Sequence, residues 1–388
     1  MANNHFRIIG LSLVVGCSYA EASGFFLPEA TYANLGTGGA GDGVYTGSAA
    51  AIWANPAVMP HMNDDLTTLT GSVLNLDIQY KGLGEDGSSN STLPIAGFFH
   101  TQQINEDLYL GLALGSLGGA TIDYGTDWQG AAQVSDVALL TYQINPSISY
   151  KVNPKVSVAA GLQFNYAFLQ ANTRGVELDS VSDWAFGYNL GLVYEASEST
   201  RLGLSYRSKL EHHFESDTTV SDQYQGKYST GLIMPNTIDA SISFKGSDKL
   251  TLMGTIQWHQ WSSMENTIIP MEFQRVDPIY VIDRQWDDVW HLGLGGEYDV
   301  GNKWALKLGY SYETSPLDNP ALQTPELPVG EQHRYSIGVS RTWDDQSFDI
   351  YYQYTDLGDI DIDQSKYIAP LSGKFTGSVH FIGMGYTF

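Results

Sequence analysis

The chain has 388 residues, with 19 Lys and Arg against 43 Asp and Glu and a formal net charge of -24. That balance excludes the basic stripe a nucleic-acid partner requires. Hydrophobic residues at 43% exclude a disordered acidic tail, while only 16% charged residues beside 24 Tyr, 9 Trp and 41 Gly suit many strands whose outer surface does not face water.

Taken in chain order, the N-terminus reads as an export signal. Arg7 precedes a short apolar core over 8–16, and Ala20-Glu21-Ala22 forms an A-x-A cleavage site, so the mature chain is expected to start at Ser23. Val14-Val15-Gly16-Cys17 also resembles a lipoprotein lipobox, which would keep Cys17 as a lipidated first residue. Cys17 is the only cysteine, so no intrachain disulfide or cysteine-based zinc site is possible. No run of 18 apolar residues exists, which leaves a closed barrel as the one way this chain could span a membrane.

Residues 23–64 are rich in Gly and Ala and lack sustained alternation. Too apolar for a tail, this leader is expected to fold inside a barrel as a plug, or hatch. From Leu66 onward the sequence alternates with period 2. Val156, Val158, Ala160, Leu162, Phe164, Tyr166 and Phe168 share one face, while Ser157, Gln163 and Asn165 lie on the other. The same pattern recurs over 184–195 and 304–313. Strands are expected near 66–80, 93–103, 108–118, 136–151, 155–168, 183–195, 201–213, 236–245, 250–261, 287–299, 303–313, 332–343, 348–356 and 374–388. Short turns alternate with long links near 81–92, 119–135, 169–182, 214–235, 262–286, 314–331 and 357–373. This parity predicts an all-β, fourteen-stranded antiparallel transmembrane barrel over 65–388, with short periplasmic turns and long external loops. The chain ends on Phe388 after Tyr386 and Met384, resembling the terminal signal of outer-membrane barrels.

Ser23-Gly24-Phe25, the run LGTGGAGDG (35–43), the segment SAAAIWANPAVM (48–59) and stretches at 144–162, 250–262, 286–316 and 327–338 together resemble the FadL family of outer-membrane transporters for long-chain fatty acids and hydrocarbons. The resemblance implies a hydrophobic ligand, a fatty acid or an aromatic hydrocarbon, captured outside and moved to a lumenal pocket beside the hatch. It would leave sideways through a gap at a kinked third strand. It also implies the bacterial outer membrane, with its lipid and lipopolysaccharide, as the setting, a monomer, no enzymatic activity, and no cofactor or metal. Two departures stand out. Gly115-Ser116-Leu117-Gly118-Gly119 occupies the place of a Pro-Phe-Gly-like element, and Trp128-Gln129-Gly130 is followed by Ala131 where the family often has Arg. A neutral substrate therefore stands beside a fatty acid. An outer-membrane barrel enzyme, of lipase or protease type, and a polar-solute porin are the alternatives.

The candidate residues follow from these readings. Phe25, Phe26 and Leu27 open the hatch and are candidates for ligand contact. Asn55-Pro56-Ala57 is expected to hold a fixed hatch turn, because proline fixes φ and asparagine bonds nearby backbone. Gly111, Gly115, Gly118 and Gly119 are candidates for a wall opening, since interior glycines weaken strands. Arg207, Lys209, Lys307 and Arg334 are expected to face inward, to meet a ligand carboxylate or to pair with Glu195, Glu297 or Glu313. On the lipid face each would cost about 2–4 kcal/mol at mid-bilayer. Gly36-Thr37-Gly38-Gly39-Ala40-Gly41 fits G-x-G-x-x-G by letter but follows no strand, so no dinucleotide is inferred. Asp359, Asp361 and Asp363 alternate in a loop without the glycine of a calcium-binding EF-hand.

Overall fold

The computed structural model describes residues 28–62, 65–174, 176–178, 180–220, 224–264, 266–273, 279–326, 328–365 and 370–388. The expected export signal, Cys17, Phe25, Phe26 and Leu27 lie outside the described residues. No helix among the described residues is long and apolar enough to cross a membrane.

Fourteen antiparallel staves close on themselves. They are β1 (Asp65–Gly82), β2 (Gly87–Gln103), β3 in two pieces (Leu108–Gly115 and Gly119–Asp123), β4 (Asp136–Asn153), β5 (Val156–Thr173) and β6 (Val181–Ser197). Four further staves are each interrupted once, namely β7 (Thr200–Arg207, Leu210–Val220), β8 (Tyr224–Met234, Thr237–Lys245), β9 (Leu250–His259, Asn266–Phe273) and β10 (Ile279–Asp283, Val289–Gly301). β11 (Trp304–Glu313), β12 (Gln332–Trp343), β13 (Gln346–Asp363) and β14 (Ser372–Thr387) complete the wall. Closure is made by β14 on β1, from Thr68↔Thr387 to Gly82↔Gly373. Phe388 extends it, exchanging backbone hydrogen bonds of 2.8 and 2.9 Å with Thr67. A closed ladder leaves no edge groups unsatisfied in lipid.

The alternation sorts side chains as the sequence predicts. Leu162, Phe186 and Leu308 are 55%, 67% and 62% exposed on the outer face, whereas Ser157, Gln163 and Asn165 are buried inside. Outer aromatics meet across strands at Tyr166↔Trp184 and Phe164↔Phe186, the latter edge-on at 5.8 Å. Several links expected to be long loops are instead strand extensions. β7 runs to Val220 and β8 starts at Tyr224. The region 262–286 contains the hairpin Asn266–Phe273 with Ile279–Asp283. In residues 215–219 the ladder continues on Glu, Ser, Asp and Thr after the apolar period has ended, as it can where the barrel rises above the hydrocarbon layer.

One inward assignment is corrected. β7 breaks at Ser208–Lys209, and the buried positions change from Ser205 to Ser208, Leu210 and His212. Lys209 is thereby exposed and pairs with Glu211 at 2.5 Å. The break is held by side chains, since Ser208 Oγ accepts from the Tyr188 N–H at 2.9 Å and Asn236 Oδ1 from the Lys209 N–H at 2.9 Å.

Residues 28–62 form short turns, with 3-10 segments at Pro28–Thr31, Asp42–Val44 and Pro56–His61 and one α-helical turn at Ala51–Ala54. This segment touches inward-facing residues around the wall. Ser157 of β5 donates to Ala57 O at 2.5 Å, Ser205 of β7 to Ala54 O at 2.8 Å, and Gly41 N to Thr255 of β9 at 2.8 Å. The glycine-rich run follows a left-handed path, with Gly36, Gly38, Gly39 and Gly41 at φ of 97°, 66°, 79° and 75°. L-residues with a side chain resist that conformation. The wall makes room in turn, since a Cβ on Gly309 would stand 1.9 Å from Thr37 C.

Candidate functional site

The Asn55-Pro56-Ala57 turn is fixed by its asparagine. Asn55 Oδ1 accepts from the Ala57 N–H at 3.0 Å. Its Nδ2 donates to Gly43 O at 3.0 Å and to Leu192 O on β6 at 3.1 Å. Pro56 then opens the segment Pro56–His61, where its missing N–H costs nothing. One amide therefore joins two turns of the N-terminal segment to the wall.

Arg207, Lys307 and Arg334 all face inward, and each meets the N-terminal segment. Arg207 donates to Trp53 O at 2.5 Å and to Gln163 Oε1, with its guanidinium 5.2 Å from the Trp53 ring centre. Lys307 lies 2.7 Å from Asp349 and 3.9 Å from Glu297, and 5.5 Å from the Tyr45 ring centre. Arg334 binds Glu29 at 2.9 Å and Glu313 at 3.2 Å. The acidic partners Glu297 and Glu313 are among those expected from the sequence. Glu195 instead pairs with Arg201 at 2.5 Å and contacts His61 at 3.2 Å.

Besides Tyr32 and Tyr45, whose hydroxyl pKa values burial raises, two groups in the segment have altered acidity. Burial raises the Asp42 carboxyl to about 6, although the N–H groups of Ala33 and Asn34 favour its ionised form; they donate to it at 2.9 and 3.0 Å. Burial lowers His61 to about 4, helped by Arg201 and opposed by Glu195.

The glycines called on β3 divide between two roles. A Cβ on Gly111 would press on Met59 and Ile52 of the N-terminal segment. Gly115 ends the first piece of β3, Gly118 lies in the break, and Gly119 begins the second piece. Across the break β3 advances from Gly115 to Gly119 while its partner β4 goes only from Gln143 to Leu140. The extra residue is a bulge, which bends the strand and re-aims its side chains. Gly118 O is held by Thr141, whose N–H donates at 3.2 Å and whose Oγ1 donates at 2.8 Å. On the other side, the β2–β3 ladder stops at Phe98↔Leu114. Beyond it, among the described residues, a contact from the Asp123 N–H to Ser89 Oγ at 2.8 Å joins the two.

A groove of about 700 Å³ opens on the outer wall at this break. Outward residues of six staves, β1 to β6, line it, among them Leu69, Phe98, Leu114, Tyr142, Tyr166 and Trp184. So do Thr70, Gly97, Gly115 and Gln143, which occupy inward rows of their strands. Residues of both faces of the wall thus line the groove. Behind it stands Trp53, with a ring carbon 3.1 Å from where a Gly115 Cβ would be. Trp53 is 6% exposed and meets Phe99 edge-on at 6.4 Å. On its inner side Trp53 also lines, with Leu117, Arg207, Asp239 and His291, a space of only about 70 Å³. That holds roughly five waters. Trp53, Leu117 and Gln143 were not singled out from the sequence. Trp53 lies inside a motif read for its Asn-Pro-Ala, and a lone inward Gln carries no periodic signal.

Among the described residues no group of three His, Cys, Asp or Glu is placed to hold a metal. Asp359 and Asp361 lie on β13 and pair with Lys374 at 3.1 and 3.6 Å.

Comparison with known proteins agrees with this architecture. The long-chain fatty acid transport protein of Escherichia coli is 22% identical, over 94% of this chain and 95% of its own. Outer membrane protein P1 of Haemophilus influenzae is 21% identical, over 89% of each. Among solved structures, a FadL homologue of Pseudomonas aeruginosa superposes with TM-score 0.85 at 18% identity, covering 94% of this chain and 99% of that one. The toluene transporter TodX of Pseudomonas putida gives 0.74 at 16% identity, covering 94% and 99%. Residues 13–388 match the family described as outer membrane protein transport protein (OMPP1/FadL/TodX). With that match along almost its whole length and a closed fourteen-stave wall, the chain is an outer-membrane protein and belongs to the OMPP1/FadL/TodX family of transport proteins.

Proposed function

We propose that this protein carries long-chain fatty acids or other hydrophobic molecules, aromatic hydrocarbons included, passively across the outer membrane, releasing them sideways into the bilayer. Residues 23–64 act as the hatch, delivered after cleavage behind Ala22. The observation that carries the reading is the groove at the β3 break, lined by both lipid-facing and inward residues with Trp53 directly behind it. A greasy molecule gains about 0.8 kcal/mol per methylene on leaving water, so a route ending in lipid is downhill and an aqueous exit is not. The inner space of about 70 Å³ is too small for a fatty acid. Transport therefore requires the hatch to shift, and Phe25, Phe26 and Leu27 at its start are positioned in sequence to move with it. The N-terminal segment bonded to inward residues of β5, β7 and β9 disfavours a polar-solute porin.

The test is uptake of labelled oleate and toluene by a strain lacking its own transporter, with the wild-type gene or Ala96→Trp. Ala96 lines the groove from the lipid side, so the larger ring obstructs the exit without touching the hatch. Wild type should raise uptake of at least one probe and Ala96→Trp should abolish the gain. Uptake equal with and without the wild-type gene would remove the transport reading, and full activity in Ala96→Trp would remove the lateral exit.

A further inference from the structure

Two residues that line the side groove carry buried polar atoms with no hydrogen-bond partner among the described residues. Gln143 is 1% exposed. Its Oε1 accepts from Asn165 Nδ2 at 3.4 Å, which directs Nε2 away from that contact, and Nε2 has no partner. Thr70 Oγ1, on the inward row of β1, is likewise without one. On the same inward row of β4, Thr141 Oγ1 and Asn145 Nδ2 find acceptors, while Asn145 Oδ1 and Ser147 Oγ have no partner among the described residues. Thr141 Oγ1 donates to Gly118 O at 2.8 Å, and Asn145 Nδ2 donates to Leu162 O at 2.7 Å. A buried donor left unmade is unfavourable, and its occurrence asks for a reason. Both residues line the groove, where the other lining side chains are almost entirely apolar.

We infer that Gln143 and Thr70 form a polar handhold in the side groove for an oxygen-bearing single-chain amphiphile, a carboxylic acid or an alcohol. This rests on the lateral-exit reading. Gln143 Nε2 donates to the ligand oxygen, and Thr70 Oγ1 donates or accepts. The chain lies along Phe98, Tyr142 and Trp184. No cation lines the groove, so recognition is by hydrogen bond and does not require an ionised headgroup. A pure hydrocarbon passes the same groove and gains nothing from either group. The side groove is then a selectivity step as well as an outlet.

Initial uptake of dodecanoic acid, dodecan-1-ol and toluene is compared in the same strain for wild type, Gln143→Met, Gln143→Glu and Ala96→Trp. Heat-modifiable gel mobility reports that each barrel is folded. Gln143→Met keeps length and removes the donor. It should lower acid and alcohol uptake about three- to tenfold, the worth of one hydrogen bond, and leave toluene unchanged. Gln143→Glu keeps the shape and presents an acceptor, so the acid should lose more than the alcohol, whose hydroxyl can donate to it. Equal loss for all three probes, or no loss for any, in a folded Gln143→Met protein overturns the handhold. Ala96→Trp separates the two readings. If it slows all three probes while Gln143→Met changes none, the handhold alone fails. If it slows none, the lateral exit fails.

Discussion

Glu29 and Arg334 form an ion pair at 2.9 Å with both side chains 1% exposed, joining the start of the N-terminal segment to β12. Gln353 adds a bond to the same Glu29 oxygen at 2.7 Å, and Arg334 also faces Glu313 at 3.2 Å. The guanidinium is shared by two carboxylates, so its removal leaves both uncompensated. Arg334→Met should cost about 3–5 kcal/mol, the range for breaking a buried pair from one side. Glu29→Gln leaves Arg334 its second carboxylate and keeps an acceptor, so it should cost about 1–2 kcal/mol. Denaturant unfolding in detergent checks the order, and a Glu29→Gln loss equal to that of Arg334→Met would contradict it.

Asn55 gives a second test because it both donates and accepts. Asn55→Ala loses the cap on the Ala57 N–H and two bonds to carbonyls, Gly43 O and Leu192 O. A lost cap costs about 1 kcal/mol, and the orphaned carbonyls add to it. Asn55→Asp keeps the cap but sets a carboxylate against two carbonyl oxygens. It should therefore loosen residues 43–58 more than alanine at pH 7, and recover in acid once protonated and able to donate. Hydrogen exchange of that stretch is the measurement. Faster exchange in the alanine variant than in the aspartate variant at pH 7 would refute the donor role.

How much of this was legible beforehand differs by residue. The outer rows through Leu162, Phe186 and Leu308 were readable because lipid demands an uninterrupted apolar face. Arg207, Lys307 and Arg334 could be assigned inward for the same reason, and so could their carboxylate partners Glu297 and Glu313. Lys209 could not. The break at Ser208 shifts the period by one, and the Asn236 side chain that holds it lies on another strand. The strand extensions over 214–220 and 224–234 were hidden because the sequence there lacks the alternation of period two. The Gly-rich stretch 115–119 pointed to a wall opening, but Trp53 behind it and Gln143 within it are brought there by tertiary packing alone.

Acid should act on the N-terminal segment through two opposing groups. His61 has its folded pKa lowered to about 4 from 6.5. Its contribution is present above pH 6.5 and is lost as pH falls toward 4. Asp42 is raised to about 6 from 3.8. Its contribution is present below pH 3.8 and is lost as pH rises through 6. At pH 4.5 each amounts to about 2 kcal/mol or less, with opposite sign. Wild-type docking of the segment should therefore change little between pH 7 and 4.5. His61→Gln should tighten it on acidification and Asp42→Asn should loosen it. Limited proteolysis within 28–62 reads both, and a shift of the same sign in the two variants would rule out this balance.

Trp53 lines the inner space and packs against Gly115, which lines the side groove. It is held by Arg207 from one side and by Phe99 and Gly115 from the others. Trp53→Ala removes the ring and leaves a cavity that costs about 3–5 kcal/mol. It should also join the two spaces without any movement of the N-terminal segment. Toluene is small enough to use such an opening and oleate is not. Toluene uptake should therefore rise in Trp53→Ala while oleate uptake does not gain. Arg207→Lys retains the charge but loses the planar fork that bonds the Trp53 carbonyl and the Gln163 side chain together. It should shift the same ratio in the same direction by less. If toluene uptake in Trp53→Ala stays at the wild-type rate while the protein remains folded, some other element closes the wall.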